Sequence, residues 1–422
     1  MNTLLIGPSS VGKSTLIEDG LLSRLVGRPL PSEVVFGKQL SDLETYPQHA
    51  VIHYNMLHPV FTYEEVPLSE VASSWDFYRD PGFSRLQDIG VADAVVVVAP
   101  INELITRIRS RDHFEADSPS DTRYRSDYWE EVVTQLNLFS IYESLFEILE
   151  SSGIGYQVVL SSVEVEGGFR LTDRVLVHHH LRGIAATVPP VETVDAVLSH
   201  PGCQYQSVVL PRGVLTDKGS HLHIGGTRAE TFDLVLGSNL LDKSVLDVGC
   251  AIGDLLFRAE RLGADRLVGI ELKPDRFDAA VAIGQVLQSS ARFHLVDFRE
   301  FEADHDFDHV FVLNVLHHVT DFWRILEKAC QLTRETLTLE FPTLADPKFA
   351  KANCIDDPEM LATLRQMEDL PVVGVSSNRV DQSFVYTPVA IKRICMEEIG
   401  GFRDVRTMTS PLNGRVIMVF EK

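Results

Sequence analysis

Two glycine-bearing stretches combine residue types and spacings suited to phosphate and nucleoside chemistry. The first, Gly7-Pro-Ser-Ser-Val-Gly-Lys-Ser14, fits the pattern G-x-x-x-x-G-K-[ST] in full. In such a loop, backbone N–H groups and the positive end of the following helix converge on phosphate. Gly7 and Gly12 shape the loop. Lys13 is expected at the β- and γ-phosphates of a nucleoside triphosphate and Ser14 at its Mg²⁺, with Thr15 completing the cradle. The second stretch, Val245-Leu-Asp-Val-Gly-Cys-Ala-Ile-Gly-Asp254, leads an apolar strand into Gly249 and Gly253 and then a helix. The next strand, Leu267-Val-Gly-Ile-Glu271, ends in an acid that can accept hydrogen bonds from ribose hydroxyls. The glycine spacing is not the pyrophosphate type G-x-G-x-x-G.

Each stretch opens an alternation of strand and helix patterns, which predicts a mainly parallel sheet with helices on both faces. In the first block, strands are expected at Thr3–Ile6, Glu33–Phe36, Ala50–Tyr54, Ala92–Ala99 and Tyr156–Leu160. Helices are expected from Lys13 to about Val26 and over Tyr128–Ser151. In the second block, strands are expected at Ser244–Val248, Arg266–Ile270, Arg292–Val296, His309–Leu313 and Thr336–Glu340. A closing hairpin is expected from Asp404–Thr407 and Arg415–Phe420. Pro189-Pro190 and His200-Pro201-Gly202 interrupt both helix and strand, so residues 183–204 read as a linker. The fold class is therefore α/β with two doubly wound domains, residues 1–182 and 205–422. His178-His-His180 reads as strand, where alternate side chains face opposite ways and cannot converge on one metal ion.

From about Gln204 onward, the chain resembles class I S-adenosylmethionine (SAM)-dependent methyltransferases, with Asp247-Val-Gly-Cys-Ala-Ile-Gly253 as their first motif. The resemblance implies a Rossmann-like fold with SAM as cofactor. Gly249 and Gly253 would contact its methionine portion, with Asp247 in the same motif, and Glu271 would hold the ribose. Asp297, followed by Phe298, would lie against the adenine. Asn314, in Val312-Leu-Asn-Val-Leu-His-His318, would face the methionine and the acceptor. His317 is a candidate base or acceptor contact, or equally a satisfied histidine at a helix start. More narrowly, Tyr205-Gln-Ser-Val-Val-Leu-Pro-Arg-Gly213 and Val385-Tyr-Thr-Pro388 resemble stretches of the tRNA wobble-uridine carboxymethyl-transfer enzymes. That branch's full set of substrate residues is not present, so its nucleic-acid substrate does not carry over.

The first block resembles small P-loop kinases. By that resemblance, Arg107, Arg111, Arg123 and Arg125 are candidates for a lid that neutralises a transferred phosphoryl group. The alternative is solvated charges paired with Asp112, Glu115 and Asp121. His53 and Asn55 close the strand where an aspartate is common in that family, which leaves Asp76 as the nearest acid for a hydroxyl proton or a metal-bound water. There is no N-K-x-D guanine-reading motif.

Composition narrows the partners. A formal charge of −22 disfavours a nucleic-acid backbone, whose binding draws on a basic surface. There is no apolar run of membrane-spanning length and no basic leader before the first strand. Five scattered cysteines without a C-x-x-C pair fit reduced thiols in the cytoplasm. The expectation is a bifunctional enzyme that uses ATP, Mg²⁺ and SAM on a small-molecule or glycan acceptor. The alternatives are an RNA-modifying methyltransferase with an ATP-dependent accessory domain, and a methyltransferase with a regulatory nucleotide site.

Overall fold

The computed structural model describes residues 1–18, 20–37, 40, 49–62, 66–72, 74–110, 126–217, 228–237, 240–353, 355, 357–375 and 384–422. Arg111, Arg123 and Arg125 lie outside the described residues. The chain divides into one unit of residues 1–189 with 261–263 and another of residues 190–260 with 264–422.

The N-terminal unit is built on β1 (Asn2–Gly7), β2 (Glu33–Gly37), β3 (Ala50–Asn55), β4 (Val91–Val98), β5 (Gly155–Ser161) and β6 (Phe169–Thr172). Their order is β2-β3-β1-β4-β5-β6, and only β6 runs antiparallel. Leu4, Leu5 and Ile6 of β1 and Val95–Val98 of β4 are buried, as expected of strands covered on both faces. The neighbours β1 and β4 send their connections to opposite sides, towards β2 and β5. The carboxyl edge between them is therefore a switch point, where open α/β sheets bind ligands.

The C-terminal unit begins with a short ladder of β7 (Val209–Leu210) and β8 (Val214–Leu215). Its main sheet holds β9 (Ser244–Val248), β10 (Arg266–Glu271), β11 (Arg292–Leu295), β12 (Phe307–Leu313), β13 (Thr333–Pro342), β16 (Asp404–Thr409) and β17 (Arg415–Glu421). A separate hairpin pairs β14 (Val373–Val375) with β15 (Phe384–Tyr386). The main order is β11-β10-β9-β12-β13-β17-β16. The first five strands are parallel, and β17 runs antiparallel to both of its neighbours. Leu246, Val310, Val312, Leu337, Leu339 and Phe420 are wholly buried in one apolar core. The connections of β9 and β12 again diverge, to β10 and β13, so the switch point lies beside the loop after β9.

Several local expectations change. The helix expected from Lys13 to Val26 is two helices, Lys13–Glu18 and Leu21–Val26, separated at Gly20. Tyr128–Ser151 is also two helices, Ser126–Gln135 and Leu138–Ser151. The Asn137 side chain caps the second by accepting from the Phe139 and Ser140 N–H groups at 3.1 and 3.3 Å. Within 183–204 lies the helix Val191–Leu198, which Pro190 precedes, as proline suits a helix start better than its interior. His178–His180 are buried in the helix Val177–Leu181 rather than on a strand; consecutive helical side chains point about 100° apart. Among the described residues, no helix is long and apolar enough to cross a membrane.

Candidate functional site

In the C-terminal unit, a cleft of 560 Å³ opens along the carboxyl edge of β9, β10 and β12. It is lined by Asp247, Gly249, Glu271, Asp297, Phe298, Asn314 and His317 of the residues singled out in the sequence. Gly253 is not in its lining but closes the same loop. At Gly249, φ is +78° and a Cβ would sit 2.5 Å from Val315 Cγ2, so no other residue type fits without displacement.

Glu271 locks the loop. Its Oε2 accepts from the Ala251 N–H at 3.0 Å, and its Oε1 accepts from the Leu272 and Lys273 N–H groups at 2.7 and 2.8 Å. A carboxylate has about four lone-pair positions, which leaves about one for a ribose hydroxyl. Gln206 Oε1 adds a bond from the Ile252 N–H at 3.3 Å. Asp297 lies in the cleft lining, but its carboxylate is held by Arg299, with Nε to Oδ1 at 3.0 Å and Nη2 to Oδ2 at 2.6 Å. That pairing keeps it below the usual carboxylate range. Asn314 adopts φ +60°, and its amide group bridges Glu340 and Arg415, donating to the first and accepting from the second.

Burial, with the like charges of Glu271 and Asp254 nearby, pushes Asp247 from 3.8 up to about 8. The raised pKa means the folded state retains a proton that the unfolded chain releases between about pH 4 and 8. Its stabilising contribution is complete below that range and is lost as pH rises through about 8. The C-terminal unfolding transition, identified by its shift with S-adenosylhomocysteine, should fall between pH 5 and 8.5 by several degrees more than that of Asp247→Asn. Parallel pH curves for the two proteins would refute the assignment.

His317 is buried in the cleft lining, and nothing among the described residues pairs with its Nδ1. Burial holds its pKa well below the ordinary value, aided by His318, Arg415, Lys348 and Arg228. Burial therefore favours its neutral form. The sequence reading missed Tyr205, Gln206, Arg228, Glu340, Lys348 and Arg415 as lining residues. Glu340 carried a signal, because it is an acid near the carboxyl end of an apolar strand, as Glu271 is.

In the N-terminal unit, a cavity of 660 Å³ is lined by Gly12, Lys13, Ser14 and Thr15 together with Arg107, His53 and Asn55. Lys13 is buried, and its Nζ donates to the carbonyls of Gly7 and Pro8 at 2.7 and 2.6 Å. Ser14 Oγ lies 3.5 Å from His53 Nε2. Arg107 is held over the loop: Nη1 donates to Ser161 Oγ at 2.9 Å, and Nη2 pairs with Glu103 at 2.8 Å. Ser162 Oγ in turn donates to Glu103 at 2.6 Å. His58, Ser161 and Ser162 are lining residues that the sequence reading missed. Asp76 is not part of this lining. Its carboxylate accepts from the Tyr78 N–H at 2.8 Å and caps the short helical turn Phe77–Arg79. The buried acid of that segment is Asp80, which accepts from the Leu40 N–H at 2.7 Å and the Tyr54 hydroxyl at 3.1 Å.

Residues 245–336 match the methyltransferase domain family. Ribosomal protein L11 methyltransferase of Colwellia psychrerythraea is 33% identical over 119 residues, which are 28% of this chain. The chain spans 38% of the length of that relative. Magnesium protoporphyrin IX methyltransferase from Synechocystis, solved with S-adenosylhomocysteine, is 17% identical; the match covers 46% of this chain and 83% of that one, with a TM-score of 0.35. N-methyltransferase NodS from Bradyrhizobium japonicum is 14% identical, with coverages of 55% and 96% and a TM-score of 0.33. The family match falls on β9 to β13, the strands that build the glycine loop, Glu271 and Asn314. Within the C-terminal half of the chain, residues 245–336 thus form a methyltransferase domain.

Proposed function

We propose that the chain is a bifunctional kinase–methyltransferase. Its N-terminal unit would use ATP and Mg²⁺ to phosphorylate a hydroxyl of a small molecule or glycan. Its C-terminal domain would transfer a methyl group to that phosphate or to a group beside it. When bound, SAM supplies an electrophilic methyl group on a positively charged sulfur. Glu271 would hold the ribose, and the Gly249 loop would admit the methionine portion.

One observation supports the pairing above all. The 660 Å³ cavity around Lys13, Ser14 and Arg107 lies at the switch point of a doubly wound sheet, as the methyltransferase cleft does in its own unit. Lys13 and Arg107 provide two cations for phosphate charge, and the Ser14 hydroxyl provides a ligand for Mg²⁺. His53 and His58 line the cavity and would supply the base in this reading; Asp76 lies outside that lining. The formal charge of −22 favours an acceptor that is not nucleic acid, and four buried thiols (Cys203, Cys250, Cys330 and Cys395) suit a reducing cytoplasm.

The test is to incubate the chain with γ-labelled ATP, methyl-labelled SAM and a cell extract, and to isolate labelled products. One product carrying both labels, lost with Lys13→Ala, is expected. Methyl-labelled product formed equally by Lys13→Ala would overturn the two-step reading. Release of free phosphate alone would point to an ATP-driven accessory domain instead.

A further inference from the structure

Past Asn314, the methyltransferase cleft is lined by three cations drawn from separate segments. Arg228 opens the helix Arg228–Leu236, Lys348 lies in the helix Pro347–Ala352, and Arg415 is the first residue of β17. The same three line an adjoining recess of 90 Å³ with Asp346, Leu412 and Asn413. The recess is built rather than incidental. At Gly414, φ is +75° and a Cβ would sit 2.3 Å from Asp346 Cα, so the β16–β17 turn packs directly on the start of the Lys348 helix. The Thr343 N–H donates to the Gly414 carbonyl at 3.0 Å and ties the two together.

The nearby carboxylates do not balance these cations. Glu340 receives Asn314, Ser410 and Thr231, and burial pushes its pKa up. Asp346 caps its helix through the Lys348 N–H at 2.7 Å, and burial pushes it up as well. Burial also outweighs Glu340 and Asp346 at Arg415, whose pKa is lowered. A half-buried arginine in this setting is stabilised by an anion entering the cleft. Arg228 is steadied by Tyr205, with Nη2 donating to the hydroxyl at 2.8 Å.

We infer that Arg228, Lys348 and Arg415 hold an oxyanion of the methyl acceptor, a phosphate monoester or a carboxylate. This rests on the methyltransferase reading of the cleft. The chemistry is consistent with the side chains present. An anionic acceptor oxygen donates a lone pair to form the C–O bond, while the C–S bond breaks with its electron pair retained on sulfur. The acceptor has no proton to lose, so no general base is needed, and His317 can serve as a neutral contact. The three cations bring the nucleophile into place and offset its desolvation.

The test uses the full chain carrying Lys13→Ala, which weakens the hold of the N-terminal loop on the probes. The protein is saturated with S-adenosylhomocysteine and titrated calorimetrically with phenyl phosphate, benzoate and phenol. At least one anion should bind once per chain and at least tenfold more tightly than phenol, and the tighter anion distinguishes phosphate from carboxylate. Arg228→Gln and Lys348→Met should each weaken that binding at least fivefold while S-adenosylhomocysteine affinity stays within twofold. Lys348 is exposed, so its replacement does not threaten the fold. Phenol binding as tightly as the anions, or anion binding unchanged in both variants, would overturn the inference alone. No binding of S-adenosylhomocysteine to the parent chain would overturn the methyltransferase reading and this inference with it.

Discussion

Replacing Glu271 with Gln should weaken S-adenosylhomocysteine binding by about 100-fold, or about 2.7 kcal/mol. The carboxylate accepts from three backbone N–H groups. The new NH₂ group must face either the Ala251 donor or those of Leu272 and Lys273, leaving donor against donor. Hydrogen bonds to a charged acceptor contribute about 1.5–3 kcal/mol each, and an unpaired buried donor costs a similar amount. The loop after β9 loses its lock at the same time as the ribose loses its acceptor. One effect opposes this: removing the Glu271 charge relieves Asp247, whose raised pKa owes part of its shift to that carboxylate. The relief benefits the ligand-free fold and leaves the hydroxyl contact broken, so affinity falls more than stability. Calorimetric titration and thermal unfolding of the two proteins check this. An affinity within threefold of the parent would remove Glu271 from the binding site.

Lys13→Ala should lower the affinity for ATP–Mg²⁺ by about 100-fold, because a buried ammonium at the phosphates is among the strongest charge-assisted contacts. In the structure, Lys13 Nζ donates to two carbonyls of its own loop. Exchanging these for phosphate oxygens replaces partial charges with full ones. Arg107 remains in the variant, held by Glu103 and Ser161, so residual binding is expected. Displacement of a fluorescent ATP analogue measures the change, and S-adenosylhomocysteine affinity should be unaltered. Equal ATP affinity in both proteins would show that the loop does not bind nucleotide through Lys13.

What the sequence revealed and what it hid divide along a physical line. The glycine loops, the strands leading into them and the acid at Glu271 depend on local spacing, and the structure gathers them at carboxyl edges. The cations at the far end of the cleft come from three remote segments, and the packing of the β16–β17 turn on Asp346 brings Lys348 and Arg415 together. No periodicity in the chain announces such a convergence. Asp76, singled out in sequence, and Asp80 are acids of one short segment; burial separates them, leaving one as a surface cap and the other inside. The break at Asn137 was readable, since asparagine is a preferred helix cap, but apolar spacing on both sides of it concealed the stop. The histidine triplet failed as a strand for a related reason, because three consecutive buried residues fit neither alternation nor a single helical face.

The placement of β17 has a kinetic consequence. It is the last strand of the main sheet in sequence, yet it lies between β13 and β16. The five parallel strands β9–β13 can assemble as soon as their helices are available. By contrast, β16 has no partner in the sheet until β17 pairs with it. The natural order is local closure of the β16–β17 hairpin, which has a short loop and a low entropic barrier, followed by docking of the pair against β13. Because β17 begins with Arg415, docking the hairpin completes the cationic end of the cleft. The nascent domain would then acquire its glycine loop first, and the charge at the far end of the cleft would be the last feature to mature.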